Sequence, residues 1–98
     1  MSKKPEDIKE RLKLCLFVTG ASPNSMRAIA NLKTICDAHL GKEYDLEIVD
    51  IHQQPMLAAE QQVIALPMLL KMAPLPIKRL IGDMSDTDKV LKGLGLSK

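Results

Sequence analysis

The chain of 98 residues, with a mass of 10.8 kDa, is the size of a single domain. Hydrophobic residues at 46% and charged residues at 27% are the balance of an ordinary soluble globule and exclude a disordered chain. Phe17 and Tyr44 are its only aromatics and the net charge is +2, which argues against stacking platforms for single-stranded nucleic acid and against a DNA or membrane binder.

Residues 1–11 are expected to be a flexible leader, since Lys, Glu and Asp alternate around Pro5 without a signal-type apolar stretch. No apolar run approaches the roughly 20 residues that span a bilayer, so a cytoplasmic address is the default. Leu12 to Val18 is nearly apolar on both faces and predicts an interior strand with a parallel neighbour. Thr19-Gly20-Ala21-Ser22 then turns the chain, with Ser22 as N-cap and Pro23 at the first helical position. Ile29, Leu32, Ile35, Cys36 and Leu40 recur at helical steps up to a terminator at Gly41.

Asp45 to Ile51 predicts a second strand, with Leu46 and Ile48 as its leading apolar residues and Val49 and Ile51 less strictly placed. Strand, helix and strand make a right-handed βαβ unit. A short helix is expected from Met56 to about Gln62 and a third strand over Met68–Lys71. Met72-Ala73-Pro74-Leu75-Pro76 is expected to break that strand, because prolines two apart cannot sit in a paired ladder. Ile77 to Ile81 reads as a fourth strand. Ser85-Asp86-Thr87-Asp88 resembles a capping box headed by Ser85, and Val90, Leu91 and Leu94 give the last helix its apolar face. The resulting order, βαβαββα over residues 12–96, is the α/β thioredoxin-like order in one domain. Pro67 stands where that fold commonly carries a cis proline before the third strand, and is taken as fold-defining.

Redox-active proteins of this fold place C-x-x-C at the start of the first long helix, where the helix end lowers the thiol pKa. Here the place reads Ser22-Pro23-Asn24-Ser25, and hydroxyls cannot support disulfide exchange. Cys15 and Cys36 are expected in the core. Cys36 and His39 stand three apart on the helix, with Asp50 or His52 as possible additions, but no second spaced pair completes a zinc site. Phosphate-loop and G-x-S-x-G motifs are missing too. No catalytic residue, metal or cofactor is therefore expected. Ser22, Asn24 and Ser25 leave open an anion site of the kind found in glutathione-binding relatives. Between Glu60 and Asp83 there is no acidic residue, while Lys71, Lys78 and Arg79 lie there. With Arg27 they outline a basic face for a protein or anionic partner, set against a simpler role as protective charge on edge strands.

Several blocks together closely resemble the KaiB family of small circadian-clock proteins. They are Leu16-Phe17-Val18-Thr19-Gly20-Ala21-Ser22-Pro23-Asn24-Ser25 with Arg27-Ala28, Glu47-Ile48-Val49-Asp50, Gln54-Pro55 with Leu57-Ala58, Ala65-Leu66-Pro67, and Pro76 through Ser85. The resemblance covers roughly Leu12 to Leu94. It implies a non-enzymatic regulator that docks on KaiC, a ring-shaped RecA-type ATPase, in a circadian clock or a simpler timing or stress system. A KaiA-like protein or a histidine kinase are further implied partners, the latter also through an alternative role as a stand-alone sensor module for such a kinase; nucleic acid and membrane are not. Arg27, Lys71, Lys78 and Arg79 match basic residues of the family and are the implied partner-binding residues.

The resemblance also implies a fold-switching chain, with a tetrameric ground state of order βαββααβ as the alternative to the thioredoxin-like form. Residues 85–96 decide between them, as a last helix or as a strand. Capping by Ser85 and the shared face of Val90, Leu91 and Leu94 favour the helix, while Lys92 and two glycines make a poor buried strand. The free chain is therefore expected to be thioredoxin-like and at most weakly oligomeric. Gly93 is the second fold-defining residue, and Gly93→Ala is expected to deepen that preference.

Overall fold

A computed structural model describes residues 11–41, 43–63 and 66–96. Its elements run β1 (Leu12–Val18), α1 (Pro23–Leu40), β2 (Tyr44–Asp50), α2 (Pro55–Glu60), β3 (Met68–Ala73), β4 (Lys78–Ile81) and α3 (Thr87–Leu94). This is the expected βαβαββα order. The four strands form one sheet in the order β2-β1-β3-β4, with β1 parallel to β2 and antiparallel to β3, and β3 antiparallel to β4. The leader expected over residues 1–11 lies outside the described residues up to residue 10.

Strand β1 sits at the centre because it is apolar on both faces, and every residue of it except Lys13 is buried. Leu12, Leu14, Leu16 and Val18 face Ala28, Leu32, Ile35 and Cys36 of α1, with Val90 and Leu94 of α3. Cys15 and Phe17 face the other way and meet Val49, Met68 and Leu70, with Leu57 and Ala58 of α2 packed against them. Two helices thus cover one side and a six-residue helix the other. No described helix is long and apolar enough to cross a membrane.

Helix α1 starts as its sequence requires, with the Ser22 hydroxyl accepting from the Ser25 N–H and Pro23 at the first helical position. Strand β2 departs from the expected pattern. Val49 is its fully buried residue, whereas Ile48 is exposed and Leu46 only half-buried. As an edge strand β2 buries little on the α1 side, and Val49 enters the cluster beneath α2.

Helix α2 stops at Glu60, two residues short of the expected end. Gln62 takes a φ of +56°, and the N–H groups of Gln62 and Val63 donate to the carbonyls of Ala59 and Ala58. That is a Schellman ending with glutamine in the place usually taken by glycine. Strand β3 runs to Ala73 rather than Lys71. A proline constrains its predecessor to extended backbone, so the strand continues to the residue before Pro74. Lys13 pairs with Ala73 but Leu14 with Lys71, so Met72 is the extra residue of a bulge. The peptide bond before Pro67 is cis, and Pro67 is buried.

The start of α3 corrects the expected capping by Ser85. Asp86 is the N-cap, its carboxylate accepting from the Lys89 N–H at 3.1 Å. Ser85 is held one residue earlier, donating its N–H to Asp83 Oδ1 at 3.1 Å, so the helix begins after that turn closes. Gly95 ends α3 in the left-handed region, with φ at +77° and the Leu96 N–H reaching the Leu91 carbonyl. Gly93 lies against β4. A Cβ there would stand 2.6 Å from Leu80 Cδ1, so the helix gain expected from Gly93→Ala meets a steric opponent in this fold.

Candidate partner-binding surface

The helix start offers no free nucleophile. Ser25 is buried, and its hydroxyl accepts from the Thr19 N–H at 3.0 Å and from the Ser22 hydroxyl at 2.8 Å. Ser22 in turn caps the helix, so the two hydroxyls proposed for an anion site are already committed to the β1–α1 turn. Both cysteines are buried on opposite sides of the sheet, and burial pushes each thiol up to about 11. Neither carries appreciable thiolate near neutral pH. Cys36 points into the core while His39 is exposed, so their helical spacing does not bring them together on a metal.

Arg27 projects from the first turns of α1 with its side chain 56% exposed. It reaches Asn24 Oδ1 within its own helix and Asp83 Oδ2 at 3.5 Å across the β4–α3 loop. Asn31, one turn further along α1, donates to the Asp83 carbonyl at 2.9 Å. Hydrogen bonds from Ser85, and secondarily Arg27, hold the Asp83 carboxyl below the ordinary carboxylate value. The Gly82 N–H completes this corner by donating to the Pro67 carbonyl at 3.0 Å. Asp83 stands in the sequence only as part of the family-like block Pro76 through Ser85, and neither it nor Asn31 is expected there as a site residue. The available signal was Asp83-Met84-Ser85, an aspartate placed to bond the backbone two residues on.

The other three basic residues occupy β3 and β4, and the pleat separates them. Lys71 is 5% exposed on the inner strand β3, opposite Leu14 of β1 and Lys78 of β4. Its aliphatic stem is therefore packed in the sheet, and only its tip reaches water. Lys78 and Arg79 are exposed on the edge strand, pointing to opposite sides. Lys78 shares the α1 and α3 side with Leu80, whereas Arg79 shares the α2 side with Ile81. Arg27 stands beyond the other end of β4, at Asp83. Arg27, Lys78 and Arg79 thus line one border of the molecule rather than one flat face, and Lys71 lies buried one strand inside it. None of Lys71, Lys78 and Arg79 has a salt bridge among the described residues. Leu75, Ile77 and Ile81 are exposed along the same border, apolar side chains that its charges alone do not reveal.

Comparison with known proteins matches residues 15–96 to the family profile described as the KaiB domain. A protein named circadian clock protein KaiB3, from Synechocystis sp., is 46% identical over 86 residues, covering 88% of this chain and 84% of that one. The circadian clock oscillator protein KaiB of Prochlorococcus marinus subsp. pastoris is 47% identical over 83 residues, covering 85% of this chain and 78% of the relative. Among solved structures, the N-terminal domain of Synechococcus elongatus SasA superposes with a TM-score of 0.75 at 22% identity, covering 100% of this chain and 96% of that one. Yeast mitochondrial thioredoxin 3 superposes at 0.71 with 16% identity, over 89% of this chain and 79% of its own. At such identities these superpositions speak for the fold alone, and the fold they share is thioredoxin-like.

Proposed function

The chain belongs to the KaiB family, and we propose that it is a non-enzymatic regulator that docks on a KaiC-type RecA-like ATPase and modulates its phosphorylation and ATPase cycle. The observation that carries the reading is the border from Lys78 to Arg27, beside a helix start that holds no thiol. There Lys78 and Arg79 have no ion pair among the described residues, Arg27 stands exposed beside Asp83, and apolar side chains are exposed with them. Arg79 and Lys78 contact the partner directly. Arg27 does so from the Asp83 corner, and Lys71 supports the strand from within. A KaiA-like protein or a histidine kinase competes for the same regulator in the cytoplasm. The thioredoxin-like form is both the free form and the docking form, and the tetrameric βαββααβ arrangement is the alternative to it.

The test is capture of this chain by a KaiC-type ring with and without ATP. Lys78→Glu with Arg79→Glu is expected to weaken capture at least tenfold, and raised salt to weaken the wild-type complex. Lys71→Glu is unsuitable, because it places a charge of the wrong sign on a buried stem. Capture unchanged by both treatments would refute this surface. Glutathione binding tighter than millimolar would favour a ligand-binding protein instead, against the committed hydroxyls of Ser22 and Ser25.

A further inference from the structure

Among the described residues neither outer strand of the sheet has a further strand paired to it, and the chemistry of the two is unlike. The pairings make β4 run in the same direction as β2. Along β2, Asp45 and Glu47 stand on the α2 side, opposite Lys13 and Cys15, and Leu46 and Ile48 stand on the α1 side. Along β4, Arg79 and Ile81 stand on the α2 side and Lys78 and Leu80 on the α1 side. Glu47, Lys78 and Arg79 have no ion pair among the described residues. Ile48 and Ile81 are 38% and 45% exposed, large apolar side chains at two open edges.

We propose that β4 of one copy pairs in parallel with β2 of a second copy of this chain, Arg79 lying opposite Glu47. A translation across the sheet brings these edges together with strand direction and helical faces preserved. In that register Leu80 meets Ile48, an apolar pair beside the charge pair, and Lys78 falls opposite half-buried Leu46, whose surface its aliphatic stem can cover. A one-residue slip turns each strand's side chains to the wrong side. A two-residue slip sets Arg79 against Asp45, which Arg11 already holds at 3.0 Å, and Ile81 against Glu47. Like edges do not pair so well: β2 against β2 crowds carboxylates, and β4 against β4 crowds cations. The contact is therefore head-to-tail, and it grows rather than closing as a two-fold dimer. Four residues of β4 keep it weak.

Sedimentation of the chain alone over a concentration series tests this independently of any ATPase partner. The mean mass is expected to rise with concentration without settling at a dimer, and to fall as salt screens the pair. Arg79→Glu and Glu47→Arg are each expected to weaken association about tenfold, and the double swap to restore it. Circular dichroism of each variant checks that these surface changes leave the fold intact. A monomer at every concentration would overturn the proposal and leave the edge charges a protective role. So would a closed tetramer, indifference to the single swaps, or failure of the double swap to restore association.

Discussion

Asp83 accepts the Ser85 N–H on one carboxylate oxygen, is ion-paired to Arg27 through the other, and accepts from Asn31 on its carbonyl. Its carboxyl is held below the ordinary carboxylate value because Ser85, and after it Arg27, favour the charged form. A folded value below the unfolded one contributes stability that is fully present above the unfolded value. That stability is lost as pH falls through the lowered folded value. The β4–α3 corner is therefore expected to loosen only in acid, below about pH 4. Carbon NMR of the Asp83 carboxyl is expected to show its midpoint below that of an ordinary aspartate. Because the Ser85 hydrogen bonds dominate, Ser85→Ala should move that midpoint upward further than Arg27→Gln does. A midpoint at or above the ordinary value, or a larger effect from Arg27, would contradict this account.

At the scale of elements, α3 sets helix propensity against packing. Replacing an interior glycine by alanine favours a helix by about 1 kcal/mol, but overpacking commonly costs about 1–3 kcal/mol. Leu80 is half-buried and its methyl is the obstructing atom, so part of that cost is relieved by rotation. Gly93→Ala is accordingly expected to leave stability within about 1 kcal/mol of wild type rather than raise it by the full propensity gain. On a Leu80→Val background the same change should be more favourable, and urea denaturation of the four proteins gives the coupling. Zero coupling would remove Leu80 from the explanation. The contest was hidden in the sequence because residues 80 and 93 meet only after β4 and α3 fold together. Local signals fared better where chemistry is local. Ser22-Pro23 and Gly41 bracket α1 without any knowledge of the sheet. The end of α2 escaped notice because glutamine, not glycine, takes the left-handed position. Asp86 displaced Ser85 as a cap because a turn centred on Asp83 had already engaged Ser85. The basic residues were legible as a cluster in sequence, but strand alternation sends Lys78 and Arg79 to opposite sides.

Across the whole molecule the sheet is insulated unequally. α1 and α3 bury Ala28, Leu32, Ile35, Cys36, Val90 and Leu94 on one side, whereas α2 has no buried residue of its own and leans on the other side with Leu57 and Ala58. Segments with few buried apolar contacts open at lower free energy than the core they cover. Each side happens to enclose one thiol, Cys36 beneath the helix pair and Cys15 beneath α2, and both titrate near 11. Because burial is what holds both thiols back, exposure decides which reacts first, and the pair becomes an internal stopwatch. In mildly alkaline buffer an alkylating reagent should modify Cys15 each time α2 lifts, while Cys36 waits for the molecule to unfold as a whole. Mass spectrometry over a time course is expected to show single modification at Cys15 well before double modification. Simultaneous labelling, or Cys36 first, would mean that the two sides yield together and that the short helix shields its half as firmly as the long one.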